Sequence, residues 1–157
     1  MQLKEYLIET FKFNDDANKK LLGKINLLGD KKESIKLFSH LINTQCKWMA
    51  KISKDPGYDK MSWWEPVYDF EQLGKEWDKS TGLWINYIAA KPDEELSTET
   101  VFIDFDHAVW AAILKDIALQ LNYHSIHHRA QIQVIIRQQG IEPDFLDYIG
   151  TKVRKVG

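Results

Sequence analysis

Three of the five histidines in this 157-residue chain fall within the run His124-Ser125-Ile126-His127-His128-Arg129, in a segment that reads as helix. His124 and His128 are four apart, so on a helix of about 3.6 residues per turn their imidazoles share one face. One helix offers two nitrogen ligands to a metal ion at that spacing. From Trp110 to Gln139 there is no Gly or Pro, and an apolar stripe runs Ile113, Ile117, Leu121, through His124 and His128, to Ile132 and Ile135. Both imidazoles therefore stand at core positions, where an unpartnered polar atom costs roughly 1–3 kcal/mol. They must bond to neighbouring groups or hold a metal. His127, three residues after His124, is a competing chelator, but it lies about 100° round the helix from His128 and reads as a flanking group.

A two-histidine site needs a third protein ligand, and two histidines remain. His107 sits in Asp104-Phe105-Asp106-His107, just ahead of the long helix, where a polar residue is ordinary. His40 lies inside another helix, between Leu37 and Leu41 with Thr44 one turn on, at the edge of a buried stripe. It is the better candidate. Cys46 follows six residues later, about 240° round the helix, and reads as a packed thiol rather than a ligand.

Four helices are expected to position these groups. The first spans about Gln2 to Leu27 with Leu3, Leu7, Leu21 and Ile25 or Leu28 inward, and ends at Gly29. The second opens at Asp30 with Glu33 three residues on, in the manner of a capping box, and runs to about Lys54 before Asp55-Pro56-Gly57. The third runs from about Asp69 to Ala90 with Phe70, Leu73, Trp77, Trp84 and Ile88 on one face; the fourth carries the histidine pair and stops at Gly140. Thr98 to Phe105, with Val101, Ile103 and Phe105 alternating, reads as a short strand or extended arm. Ser53 to Val67 is too long for a tight connection. Its fifteen or so residues reach roughly 50 Å when extended, against about 33 Å for a 22-residue helix, enough to make helices two and three parallel. It also carries Trp63-Trp64-Glu65-Pro66, read as capping one end of the helices in preference to walling a pocket.

Composition bounds the rest. The chain is long enough for a real core, 44% apolar and 12% aromatic, and suits a single domain over 1–157. A net charge of −2 disfavours nucleic acid as a partner. There is no apolar run near 18 residues and no basic-then-apolar leader, so neither a membrane partner nor secretion is expected. The single cysteine cannot form an internal disulfide, and the expected location is cytoplasmic.

Phe13-Asn14-Asp15-Asp16-Ala17-Asn18-Lys19-Lys20-Leu21-Leu22, Leu37-Phe38-Ser39-His40-Leu41-Ile42-Asn43, and above all His124 to Ile132 followed by Arg137-Gln138-Gln139-Gly140-Ile141-Glu142-Pro143 resemble the DinB/YfiT-like metalloprotein family. The resemblance spans nearly the whole chain. It implies an all-α four-helix bundle of up-down-down-up order, frequently a homodimer, and one divalent metal per chain held by His40, His124 and His128. Gln120 and Tyr123 stand where relatives often carry His and Asn, and Ala130 where Gly is common. Three neutral imidazoles would leave an ion such as Zn²⁺ or Ni²⁺ its full charge and at least one open position, the pattern of a catalytic site. By the same resemblance, the expected chemistry is thiol S-transfer, in which a low-molecular-weight thiol is activated to attack a small electrophilic substrate. Apart from the resemblance, the end of the bundle near Trp63 and Trp64 is a candidate electrophile site and Tyr123 and Arg129 are candidate contacts, although Arg129 reads first as a salt-bridging or hydrogen-bonding residue and Tyr123 as a packed one. The rival readings are a metal-dependent hydrolase, which needs a carboxylate by the metal, and a non-catalytic metal-binding bundle.

Overall fold

The computed structural model describes residues 1–104 and 106–157. It is mostly helical. Four long helices, α1 (Leu3–Asn26), α2 (Lys32–Ile52), α3 (Phe70–Ala89) and α5 (Leu114–Gln138), are joined by a one-turn helix α4 (Asp93–Leu96) and a two-stranded hairpin, β1 (Glu99–Ile103) and β2 (Val109–Ile113).

The helix ends follow local chemistry. Gln2 with Glu5 and Asp69 with Gln72 form reciprocal capping boxes at the starts of α1 and α3. The Asp93 carboxylate, from α4, accepts the Leu3 and Lys4 amides at 2.9 and 3.2 Å, tying the start of α1 to a distant part of the chain. At the end of α5, Gly140 takes φ +80°, a conformation that favours glycine. There its amide donates to Arg137 O and that of Ile141 to Ile136 O, the paired bonds of a Schellman stop.

The expected capping box at Asp30 does not form. Lys31 is the cap residue, and the Asp30 carboxylate instead accepts the Lys32 amide at 3.0 Å. The extended arm is half of a structure the sequence reading did not complete. β1 pairs antiparallel with β2, Glu99 opposite Ile113 and Ile103 opposite Val109. Trp110 to Ile113 thus belongs to a strand and α5 begins at Leu114, because β-branched and aromatic residues in Val109-Trp110-Ala111-Ala112-Ile113 satisfy their amides across the ladder. His107 lies in the hairpin turn at φ +59°, not at a helix start. Phe105, expected to alternate with Val101 and Ile103, falls outside the described residues.

Each long helix packs on two others: α1 on α3 and α5, α2 on α3 and α5. Their apolar faces make two separate clusters. One gathers Leu7, Phe11, Trp84, Ile88, Ile117 and Leu121; the other gathers Leu21, Ile25, Phe38, Trp77, Ile132 and Ile136. Between them every long helix turns polar at the same level: Asn14 and Asn18 on α1, His40 to Gln45 on α2 apart from Leu41 and Ile42, Ser80 and Thr81 on α3, and Asn122, Ser125, His128 and Arg129 on α5. A buried polar layer is costly unless its groups are paired. Much of it is: Thr81 Oγ1 donates to Gln45 Oε1, the Trp84 indole to Gln45 O, and Asn18 Nδ2 to Ser125 Oγ. The candidate site lies in this layer.

Candidate metal centre

His40, on α2, is 6% exposed, and His128, on α5, 8%; His124, one turn before His128, is half-buried. Their Nε2 atoms converge. His40 Nε2 lies 3.1 Å and His128 Nε2 3.0 Å from His124 Nε2, and one ligand atom from each ring falls within 4.8 Å of the others. The spacing argument for the pair on α5 and the choice of His40 over His107 as its companion both agree with this grouping. His127 is exposed, its ring packed edge-on against that of His128 5.0 Å away.

The far side of two rings is tied down. His40 Nδ1 lies 2.6 Å from the Trp63 carbonyl oxygen, and His128 Nδ1 2.6 Å from Gln131 Oε1. An oxygen acceptor requires the proton on Nδ1, so in the neutral rings both Nε2 atoms carry a bare lone pair aimed at His124. His124 Nε2–H could donate to one of them, never to both. Three imidazole nitrogens crowded in this way suit a cation at their centre. In a tetrahedral site with Zn–N near 2.0–2.1 Å, neighbouring nitrogens stand about 3.3 Å apart, a few tenths of an ångström beyond the two separations from His124, while the His40 and His128 nitrogens lie within 4.8 Å of each other.

Electrostatics point the same way. Burial is the largest influence on all three rings and holds each below the ordinary histidine range, His124 at about 4, with the neighbouring histidines adding repulsion. Near neutral pH the rings are uncharged, the state in which imidazole ligates.

The loop between α2 and α3 walls this site. The Trp64 ring stacks on His40 with centroids 3.8 Å apart and planes 9° from parallel, while remaining 42% exposed on its outer side. Lys36, one turn before His40, brings its ammonium 5.6 Å from the centroid of the Trp64 ring. Trp63 is anchored by Lys47 and Lys51, whose ammonium groups lie 4.7 and 5.4 Å from its ring centroid, and Lys47 also donates to the Met61 carbonyl. Of the two readings of the Trp pair, capping one end or walling a pocket, the less favoured one describes these contacts: Trp64 covers a candidate ligand and Trp63 orients it through its backbone. Sequence reasoning missed Gln131 and the Trp63 carbonyl. Gln131 was findable, being a polar side chain one turn beyond His128, whereas a backbone carbonyl leaves no trace in residue type.

Among the other candidates, Arg129 is buried about 100° round α5 from His128, facing α1, and donates to Asn14 Oδ1 and Asn18 Oδ1, in keeping with a hydrogen-bonding role. Tyr123 is 60% exposed. Cys46 is half-buried beside the second apolar cluster, and burial pushes its thiol above the usual range. None of the three is among the groups that meet the histidines through a hydrogen bond or ring contact.

The model of the DinB family matches residues 7–155, and the match takes in all three histidines and the loop that walls them. The chain belongs to the DinB family. Searches of curated proteins and of solved structures returned no match. In this DinB-family chain, a three-histidine cluster that could bind a metal ion is thus joined to a helical scaffold with no helix, among the described residues, long and apolar enough to cross a membrane.

Proposed function

We propose that this protein binds one divalent metal ion through His40, His124 and His128 and uses it to transfer a low-molecular-weight thiol to an electrophilic small molecule. The observation that carries the metal reading is the convergence of three Nε2 atoms, two of them stripped of their proton by the Trp63 carbonyl and Gln131. A bound Zn²⁺ or Ni²⁺ would supply Lewis acidity sufficient to keep a thiol deprotonated at neutral pH. The residues supply the rest. His40 and His128 are held in their tautomers, burial keeps all three rings neutral, and Trp64 shields one face of His40 from water. The transfer reaction itself rests on likeness to the family. Among the described residues the hydrogen-bond partners of the three rings are the Trp63 carbonyl, Gln131 and one another, with no carboxylate, which favours this reading over a hydrolase that uses a carboxylate base beside the metal.

The architecture we infer is one domain in an up-down-down-up bundle. Contacts pair Phe38 with Trp77 and Gln45 with Trp84, so α2 and α3 rise together; Thr10 with Asn122 and Asn18 with Arg129 do the same for α1 and α5. Asp15 with Trp77 and Phe11 with Trp84 set α1 against α3. A homodimer acting in the cytoplasm is part of the same reading.

The test is elemental analysis of the purified chain, followed by thiol consumption with a haloaromatic or an epoxide, with and without chelator. About one divalent metal per chain and thiol-dependent turnover that chelation abolishes are expected. If no thiol in a broad panel reacts faster with the metal-loaded protein than with His128→Ala, the transferase reading fails and a metal-binding module remains.

A further inference from the structure

Met61 to Asp69, the segment that carries the tryptophan pair, has no regular secondary structure, so its backbone groups need partners other than those of a helix or ladder. They divide by kind. Amides are met within the loop: Ser62 Oγ accepts those of Trp64 and Glu65, each at 3.1 Å, and Glu65 Oε2 accepts that of Val67. Carbonyls turn to α2. Met61 O accepts from Lys47 Nζ, Trp63 O from His40 Nδ1, and Pro66 O from Asn43 Nδ2 at 3.0 Å. Just beyond, the Tyr68 amide donates to Ser39 Oγ at 3.0 Å.

Helix geometry brings these four α2 residues to one side. At about 100° per residue, positions 39, 40, 43 and 47 fall within about 100° of one another round the axis. All four are buried, none more than 9% exposed. A carboxamide and an ammonium are costly on the buried side of a helix, and burial holds the Lys47 ammonium below the ordinary lysine range. What both groups hold is the loop. Their two carbonyls flank the one that His40 uses, two residues before it and three after it. Lys47 also lies 4.7 Å from the centroid of the Trp63 ring. A carbonyl between two fixed points cannot swing away from its donor without breaking one of the bonds on either side.

We propose that Asn43 and Lys47 are positioning residues for His40. By pinning Pro66 O and Met61 O they keep Trp63 O in front of Nδ1, so that the ring holds its proton there and turns a bare Nε2 to the cluster. His40 does not have to order its own acceptor. The consequence for metal affinity rests on the three-histidine metal reading, whereas the placement of the ring proton does not. His128 is the internal control. Its acceptor, Gln131, lies three residues along its own helix and owes nothing to the loop.

The experiment uses the full chain, metal-free and with ¹⁵N-labelled histidine, and reads the protonated nitrogen of each ring from two-bond ¹⁵N–¹H correlations at pH 7.5. In Asn43→Leu and in Lys47→Met, the Nδ1–H form of His40 should fall to about half or less, with His128 unchanged. Lys47→Arg keeps a donor and a cation for the indole and should keep the parent spectrum. Competition with a chromophoric chelator should show zinc affinity about three- to tenfold weaker in the two damaging variants, less than the 10–100-fold typical of losing a ligand's direct partner. Should Asn43→Leu fail to fold, Lys47→Met against Lys47→Arg decides alone. A parent that binds no zinc, with the His40 tautomer still moving in the variants, sinks the metal reading and leaves the positioning role standing. Four results overturn the proposal: a His40 tautomer unmoved in every folded variant that lacks one of the donors, Arg as damaging as Met at position 47, zinc affinity within twofold of a zinc-binding parent despite a moved tautomer, or His40 and His128 changing together as the melting temperature falls. The last would mean that the substitutions loosen the bundle as a whole.

Discussion

Removing the acceptor behind His128 should weaken metal binding without touching a ligand. Gln131 Oε1 lies 2.6 Å from His128 Nδ1, and Gln131 is exposed. In Gln131→Leu the ring loses the partner that keeps its proton on Nδ1 and its lone pair on the inward nitrogen. Loss of such an outer partner typically costs 10–100-fold in metal affinity, about 1.4–2.7 kcal/mol. Little of this should come from the fold, because an exposed substitution of this kind usually stays within about 0.5 kcal/mol. Proton competition should contribute little as well, since burial already holds His128 below the ordinary histidine range and the Gln131 bond is what pulls it partly back. Gln131→Glu keeps an acceptor, now charged, and should bind within about threefold of the parent or more tightly. Competition against a chromophoric chelator at pH 7.5 reads all three proteins, with melting of the metal-free forms as the control. The reasoning is refuted if Leu binds within twofold of the parent, or if Glu is as weak as Leu. The second result would mean that position 131 acts through packing rather than through its hydrogen bond.

Alanine at His40, His124 or His128 should each cost most of the metal, read by elemental analysis, while His127→Ala, at an exposed flanking position, should keep it near one equivalent. Chelating a protein held at about 100 times its dissociation constant should remove some 2.7 kcal/mol. For a chain of this length that lowers the melting temperature by roughly 5–10 °C, and circular dichroism should still report a helical apo protein. In the metal-free protein, His124 has a folded-state pKa of about 4 against an ordinary 6.5, so the unfolded chain binds the proton more readily. Its contribution is fully present above pH 6.5 and fades as pH falls toward 4; a melting series across that window should be shallower in His124→Gln, with the remaining slope due to His40 and His128, which burial also holds below the ordinary range. Trp77→Ala, which empties a fully buried site between α1, α2 and α3 and breaks the indole bond to Asp15, should cost about 3–5 kcal/mol in a denaturant titration.

The parts legible in the sequence were those with a period. Leu7, Leu21, Leu73, Trp77, Trp84 and Ile117 fall where helical spacing puts a buried face. The i, i+4 histidines stand out because they interrupt such a face. Elements whose stability comes from pairing were harder. β2 lies inside a stretch free of Gly and Pro that continues into α5, and only its ladder with β1 distinguishes it from another helical turn. α5 fully buries Ile136, four residues after Ile132, while Ile135, three residues after it, is half-buried at the edge of the same face, as 3.6 residues per turn dictates. His40 could be weighed from its place beside Leu37 and Leu41. Its partnership with a loop residue 23 positions away could not, because that contact depends on the path of an irregular segment.

That contact bears on how this protein tolerates change. The acceptor for His40 belongs to the main chain at Trp63, so every residue that can occupy position 63 retains the oxygen, and a substitution there reaches this bond only indirectly, through the indole that Lys47 and Lys51 anchor. Insertions and deletions behave differently. Adding or removing one residue between the end of α2 at Ile52 and the start of α3 at Phe70 would shift the carbonyl away from Nδ1 while leaving all three histidines in place. Segment length, rather than residue identity, is then the inherited quantity that guards this ligand.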